Sequence, residues 1–328
     1  MISLCVAGCG GWTRRVMEYY PGITGDVELY FASRGADKAR EYCDEYGGAG
    51  YFGSYEEAAA DPRVDALYFV TPHHVHPDNV RLAAAASKHV LVEKPIARTM
   101  PEGREMVHAA RNAGVKLMIA ENYRFLNAVR RCKELMAGGA IGDLKLIESH
   151  QVFRARDVSG WRTSLSLRGG GILIDAGIHA VDIMVNLAGL PASVYAAKPP
   201  VAISVTEGDD GAVVTAALPG GVVGLLCQYG GSDISDSQDW VHVTGSKGEL
   251  RFRPHGKDVV LDTANGKQVF PVSDDARGLD GMIREFRDSV LEDREPVMTG
   301  EEGLKDLAVV LAADESAEKG LPAAIPWP

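Results

Sequence analysis

The chain opens on a six-residue, mostly apolar run, Ile2-Ser3-Leu4-Cys5-Val6-Ala7, which passes without a linker into Gly8-Cys9-Gly10-Gly11-Trp12-Thr13 and then into a helical pattern. A short buried strand, a glycine turn and a helix, in that order, begin a βαβ unit and give the context that a dinucleotide-binding turn requires. Gly8 permits the tight turn, and Gly10 lets the backbone approach a pyrophosphate. Gly11, Trp12 and Thr13 start the helix, whose first N–H groups lack intrahelical partners and suit an anion. Thr13 stands where a third Gly or Ala completes the usual spacing.

The pattern then repeats. Residues 27–32, 51–52, 66–70, 89–92 and 116–120 read as strands, separated by helical patterns at 36–46, 55–60, 77–86 and 101–113. This alternation predicts a doubly wound parallel sheet, a Rossmann arrangement, with ligands at the carboxyl ends of its strands. Polar residues fall at those ends: Ser33-Arg34, Thr71-Pro72-His73-His74, Glu93-Lys94-Pro95 and Glu121-Asn122-Tyr123-Arg124. The texture changes after residue 122. A helix at 126–137 is followed by β-rich runs at 144–153, 193–197, 201–205, 211–218, 222–229, 240–244 and 249–253. Turns such as Pro219-Gly220-Gly221 and Gly245-Ser246-Lys247-Gly248 predict a large, open, mostly antiparallel sheet in an α+β domain. The expected division is a dinucleotide-binding domain at 1–122 and a second domain at 123–328.

Inside the second domain, Gly169-Gly170-Gly171 leads into an apolar run carrying Asp175, His179 and Asp182. In a regular helix these lie at i, i+4 and i+7, on one face. A carboxylate one turn from an imidazole is an acid/base pair in the making. A capping Asp beside a buried, satisfied His gives the same spacing, so the residues leave both readings open. Asp182 reads as a helix-face residue or as one that supports the site from behind, rather than as a catalyst.

Composition excludes several classes. A net charge of −11 disfavours nucleic acid and anionic membrane surfaces. No apolar run is expected to reach the ~20 residues of a membrane span. Met1 leads into a strand with no basic segment before it, so no secretory leader is expected. Five cysteines without paired spacing suit a reducing, cytoplasmic setting. His73, His74 and His76 lack zinc spacing, so no metal is expected and these residues are assigned to a loop lining the cofactor pocket. Arg154 and Arg156 read as a solvated face or as reaching an acidic substrate.

The end of the second strand bears on cofactor choice. An NAD site expects a carboxylate there for the ribose hydroxyl, but Ala32-Ser33-Arg34 occupies it, while Glu28 comes too early and Asp37 too late. A Ser hydroxyl and an Arg fork suit the 2′-phosphate of NADP, so NADP is expected ahead of NAD. Stacking of Arg34 on the adenine is the alternative.

Together, Gly8-Cys9-Gly10-Gly11-Trp12, Thr71-Pro72 with His73 and His76, Glu93-Lys94-Pro95, Asn122-Tyr123-Arg124-Phe125, Trp161-Arg162 and the segment 169–182 resemble the Gfo/Idh/MocA family of oxidoreductases over nearly the whole length. The resemblance implies Lys94, Asp175 and His179 as catalytic residues. It implies cofactor contacts from the glycine turn, Ser33, Arg34, Thr71, Pro72, His73, His76, Glu93, Lys94 and Asn122. Tyr123, Arg124, Trp161 and Arg162 join Asp175 and His179 as candidates for binding a sugar, cyclitol or sugar-derived substrate. It further implies a homodimer or homotetramer built on the second sheet. Two other readings stay open: a lyase, epimerase or glycosidase that returns the hydride to its substrate, whose first-contact residues would look alike, and a non-catalytic sugar or dinucleotide sensor, which has no need of Lys94 and His179 together.

Overall fold

A computed structural model describes residues 1–19, 25–155, 158–203, 206–234, 236–273 and 276–327. Arg156 lies outside them. The chain forms two compact units, Met1–Asn122 with Leu279–Leu304, and Tyr123–Gly278 with Lys305–Pro328.

In the first unit the elements alternate: β1 (Ile2–Ala7), α1 (Gly11–Met17), β2 (Val27–Ala32), α2 (Ala36–Tyr46), β3 (Gly50–Phe52), α3 (Tyr55–Ala60), β4 (Ala66–Phe69), α4 (His76–Ala85), β5 (His89–Glu93), α5 (Met100–Ala113) and β6 (Leu117–Ala120). Among the described residues the strands pair in parallel in the order β3-β2-β1-β4-β5-β6. The near-continuous apolar runs follow from burial on both faces of the sheet. Leu4, Leu67, Phe69 and Leu91 are fully buried, each stabilising the fold by about 1.5–3 kcal/mol. Local chemistry sets the helix ends. Ser54 and Thr99 cap α3 and α5 by accepting from the Glu57 and Glu102 amides, and Gly114 ends α5 in the left-handed region.

A single cut after residue 122 does not reproduce these units, because the chain returns at Leu279–Leu304. The Ile119 amide donates to the Met298 carbonyl, 2.9 Å away, so the edge strand β6 gains a cover. The same return stretch brings Gly303 so close that a Cβ there would lie 2.7 Å from Ile119 Cγ1.

The second unit contains α6 (Asn127–Ala137), β7 (Leu144–Val152), α7 (Leu165–Arg168), α8 (Ile178–Ala188), β8 (Ser193–Ala197), β9 (Gly211–Ala217), β10 (Val223–Tyr229), β11 (Gln238–Gly245), β12 (Gly248–Phe252), β13 (Asp258–Thr263) and β14 (Gly266–Pro271). Helix α9 (Leu279–Leu291) belongs to the first unit, α10 (Gly300–Lys319) runs through the division, and β15 (Ala323–Ala324) closes the second sheet. Among the described residues the order is β14-β13-β12-β11-β7-β10-β9-β8-β15, with β7 and β10 paired in parallel. One face carries α8: a Cβ on Gly224 of β10 would lie 2.7 Å from Met184 Sδ. The other face leaves Tyr195, Val213 and Val223 exposed.

Three sequence expectations change. Residues 201–203 are irregular rather than strand, and 204–205 lie outside the described residues. Strands β13 and β14 were not anticipated; β14 is exposed along almost its whole length, so it has no alternating burial for a sequence pattern to report. The stretch Leu165–Ala188 is, by length and composition, apolar enough to cross a membrane, although most of it is buried inside the fold as in a core helix.

Candidate active site

At the carboxyl ends of β1 and β4, where the strand order reverses, the glycine turn meets the Thr71 loop. Gly8 has φ +114°, and a Cβ there would lie 2.3 Å from the Val70 carbonyl oxygen, so only glycine fits. At Gly10 and Gly11 a Cβ would meet nothing within 4 Å, so the outer side of the turn is open to a ligand. The Thr13 side chain is fully buried and its hydroxyl donates to the Gly8 carbonyl. Its side chain therefore braces the turn from within. An open glycine backbone at a helix start fits a dinucleotide pyrophosphate.

The turn is tied to the end of β5 by one buried carboxylate. Trp12 Nε1 and the Tyr68 hydroxyl both donate to Glu93 Oε1, at 2.7 and 2.5 Å. Burial raises the Glu93 pKa, while the hydrogen bond from Tyr68 and the charge of Lys94 oppose the rise. Lys94 follows directly, half-buried. Asn122, beyond the end of β6, is buried, as is His73.

His76 corrects the sequence reading. The ring is fully buried, with Nδ1 3.0 Å from the Pro95 carbonyl and Nε2 3.0 Å from the Thr71 carbonyl. Both ring nitrogens face backbone carbonyls, one of which accepts from the ring N–H, so the fully buried side chain packs the Thr71 loop against the segment after Lys94 and presents no atom to a cofactor. Burial lowers its pKa, with those carbonyls opposing. Asn79 adds a second tie, donating to Thr71 Oγ1 at 2.8 Å.

At the end of β2, Ser33 is half-buried and Arg34 exposed. Glu28, the nearest earlier carboxylate, accepts from the Ser3 and Tyr30 hydroxyls at 3.1 and 3.2 Å. It is held on the strand, away from the position a ribose-binding acid occupies.

In the second unit, Asp175 does not sit in a regular helix. Residues Leu173–Gly177 form a π turn that runs into α8, so the simple i, i+4, i+7 stack is interrupted between Asp175 and His179. Such insertions are frequent at functional positions. Arg162 Nε lies 3.5 Å from Asp175 Oδ2, and its guanidinium covers the Trp161 ring at 4.9 Å. This brings three of the predicted residues together. His179 stacks on Tyr123, with ring centroids 4.1 Å apart and planes 10° apart.

Arg124 also departs from its expected place at the substrate. It forms a buried ion pair with Asp182, its Nε donating to Oδ1 at 3.0 Å. Sequence reasoning missed two further groups. His255 Nε2 lies 3.0 Å from the Tyr123 hydroxyl, and no motif marks it. Arg168, fully buried, donates to the carbonyls of Gly170, Arg162 and Glu207, and so pins the Arg162 loop to the turn before the π segment. An arginine directly before three glycines was the available signal.

The glycine turn at the switch point of the first unit's parallel sheet defines a dinucleotide-binding class of protein. Comparison with known proteins makes this specific. Residues 2–121 match the family described as "Oxidoreductase family, NAD-binding Rossmann fold", and residues 129–251 the "GFO/IDH/MocA C-terminal domain". The chain belongs to the Gfo/Idh/MocA family and is an oxidoreductase. It is 31% identical to 1,5-anhydro-D-fructose reductase of Ensifer adhaerens, over 92% of each chain. It is 34% identical to trans-1,2-dihydrobenzene-1,2-diol dehydrogenase of Mus musculus, over 73% of this chain and 70% of that one. Among solved structures, levoglucosan dehydrogenase in complex with NADH and levoglucosan shares the fold, with TM-score 0.91 and 19% identity over 99% of each chain. Aldose-aldose oxidoreductase from Caulobacter crescentus, complexed with glycerol, gives 0.89 and 25% over 98% of this chain and 99% of that one.

Proposed function

We propose that the protein is a nicotinamide-dependent dehydrogenase or reductase acting on a hydroxyl or keto carbon of a sugar, cyclitol or sugar-derived substrate. The observation that carries this reading is the open glycine turn at the switch point of a β3-β2-β1-β4-β5-β6 sheet. The names of the relatives, reductases and dehydrogenases of oxygenated rings, support the substrate class. The bound dinucleotide supplies or accepts the hydride. Its pyrophosphate would lie on Gly8, Gly10 and Gly11, its ribose near Ser33 and Arg34, and its nicotinamide end near Thr71, Pro72, Glu93, Lys94 and Asn122. Arg34 and the displaced Glu28 favour NADP over NAD.

In this reading His179 takes the proton from the substrate hydroxyl, or returns it to the keto oxygen. The Lys94 ammonium stabilises charge developing on that oxygen. Asp175, oriented by Arg162, accepts a hydrogen bond from a substrate hydroxyl, and Trp161 offers an apolar wall. The first unit thus serves dinucleotide binding, and the second substrate binding and assembly through the exposed face bearing Tyr195, Val213 and Val223. Five free thiols suit a cytoplasmic setting.

The test is a panel of sugars and cyclitols with NADP and NAD, followed by the absorbance of reduced nicotinamide. On the best substrate, Lys94→Ala and His179→Ala should each lower kcat at least about 10²-fold, with dinucleotide binding retained. A Lys94→Ala enzyme with near-normal kcat overturns the assignment. Product formed with no net absorbance change, by protein that keeps its dinucleotide through purification, points to transient oxidation in a lyase or epimerase.

A further inference from the structure

Three rings from distant parts of the second unit form one array that the proposed reaction leaves unexplained. Tyr123 comes from the segment after β6, His179 from α8, and His255 from the hairpin between β12 and β13. The Tyr123 and His179 rings lie nearly parallel at 4.1 Å, and His255 meets Tyr123 edge-on, 4.9 Å between centroids and 77° between planes. The His255 Nε2 and the Tyr123 hydroxyl are joined by a hydrogen bond of 3.0 Å. Tyr123 is therefore fixed at both ends: its hydroxyl by His255, and its backbone by the adjoining Arg124, which is bound to Asp182 on α8.

The consequence falls on His179. An imidazole's outer torsion is soft in isolation, so a helical backbone does not by itself fix where the nitrogens point. A phenol ring lying flat against one face removes that freedom, because turning the imidazole out of plane drives its edge into the phenol. A proton-transfer group misplaced by about 1 Å loses on the order of 10²-fold in rate.

We propose that Tyr123 and His255 are positioning residues for His179: the phenol ring fixes the plane of the imidazole, and His255 fixes the phenol. This rests on His179 as the proton-transfer group. Tyr123 then acts on the substrate through His179. Desolvation, with the nearby Arg277 and His179, lowers the His255 pKa, and Asp239 opposes. A neutral ring at that position leaves one nitrogen able to accept the phenol proton.

Tyr123→Phe keeps the platform and removes only the hydroxyl, while His255→Leu removes the same bond from the other side. Each should lower kcat about 3–10-fold with KM nearly unchanged, and the double variant should be no worse than the worse single one, as for one shared interaction. His255→Gln, whose amide oxygen accepts from the phenol, should restore most of the rate. Tyr123→Leu removes the platform and should lower kcat on the order of 10²-fold. An independent readout is the proton NMR of the cofactor-free protein. The His179 ring protons should be shifted upfield by the stacked phenol, stay so in Tyr123→Phe, and move downfield in Tyr123→Leu. Additive losses, a change confined to KM, or an unshifted His179 signal overturns the proposal. If His179→Ala retains kcat while the wild-type His179 ring protons are shifted upfield, the acid/base reading has failed and the array stands as structure alone.

Discussion

Asp182→Asn offers a direct measure of the Arg124–Asp182 pair. The Asp182 side chain is 0% exposed and that of Arg124 8%, and the guanidinium donates through Nε at 3.0 Å and through Nη2 to the same oxygen. An exposed pair of this kind is worth about 0–1 kcal/mol. Here the substitution leaves a buried guanidinium without its countercharge, so the expected loss is about 3–5 kcal/mol. For a folding unit of roughly 150–250 residues, each kcal/mol moves Tm by about 2–4 °C, giving a fall of about 6–20 °C. Replacing both partners by apolar groups, Arg124→Met with Asp182→Leu, removes the stranded charge and should recover most of that loss. Urea unfolding and calorimetry of the three proteins decide it. A single-variant loss below about 1 kcal/mol, or a double variant worse than the single, means that the pair is hydrated and does not anchor the Tyr123 segment.

Three further expectations concern cofactor, pH and assembly. Arg34→Ala should weaken NADP by about 1.5–3 kcal/mol and NAD far less, and Ser33→Asp should reverse the preference; equal losses for both dinucleotides would mean that Arg34 stacks on the adenine. His76 has its pKa lowered in the fold, so between that value and about 6.5 the unfolded chain binds more protons and stability falls as pH falls. His76→Gln should flatten that slope in urea midpoints compared at about pH 7.5 and about pH 5.5; an unchanged slope removes His76 as its cause. The exposed face bearing Tyr195, Val213 and Val223 should be covered by a second copy, and a monomer mass by light scattering at micromolar concentration counts against this.

The local chemistry of the chain carried much of this protein. Near-continuous apolar runs require strands covered on both faces, and helical patterns between them require parallel crossovers, so the first sheet was legible from residue order. Gly8 was legible because a tight turn admits little else, and Asp175 and His179 stood out as candidates because they lie in an apolar run where polar residues need a reason. The second sheet was legible where burial alternates, as in β9, and lost in β14, where exposure erases the period. Partners were decided only by tertiary structure. Periodicity reports that a position is buried, but not which group meets it there. His76, Arg124 and Tyr123 all looked available to a ligand. In the fold, His76 is held by the Pro95 carbonyl, 19 residues away, as well as by Thr71 of its own loop, Arg124 by a carboxylate 58 residues away, and the Tyr123 hydroxyl by an imidazole 132 residues away. Long-range pairing of this kind leaves no local pattern, because the two residues become neighbours only when the chain between them has folded.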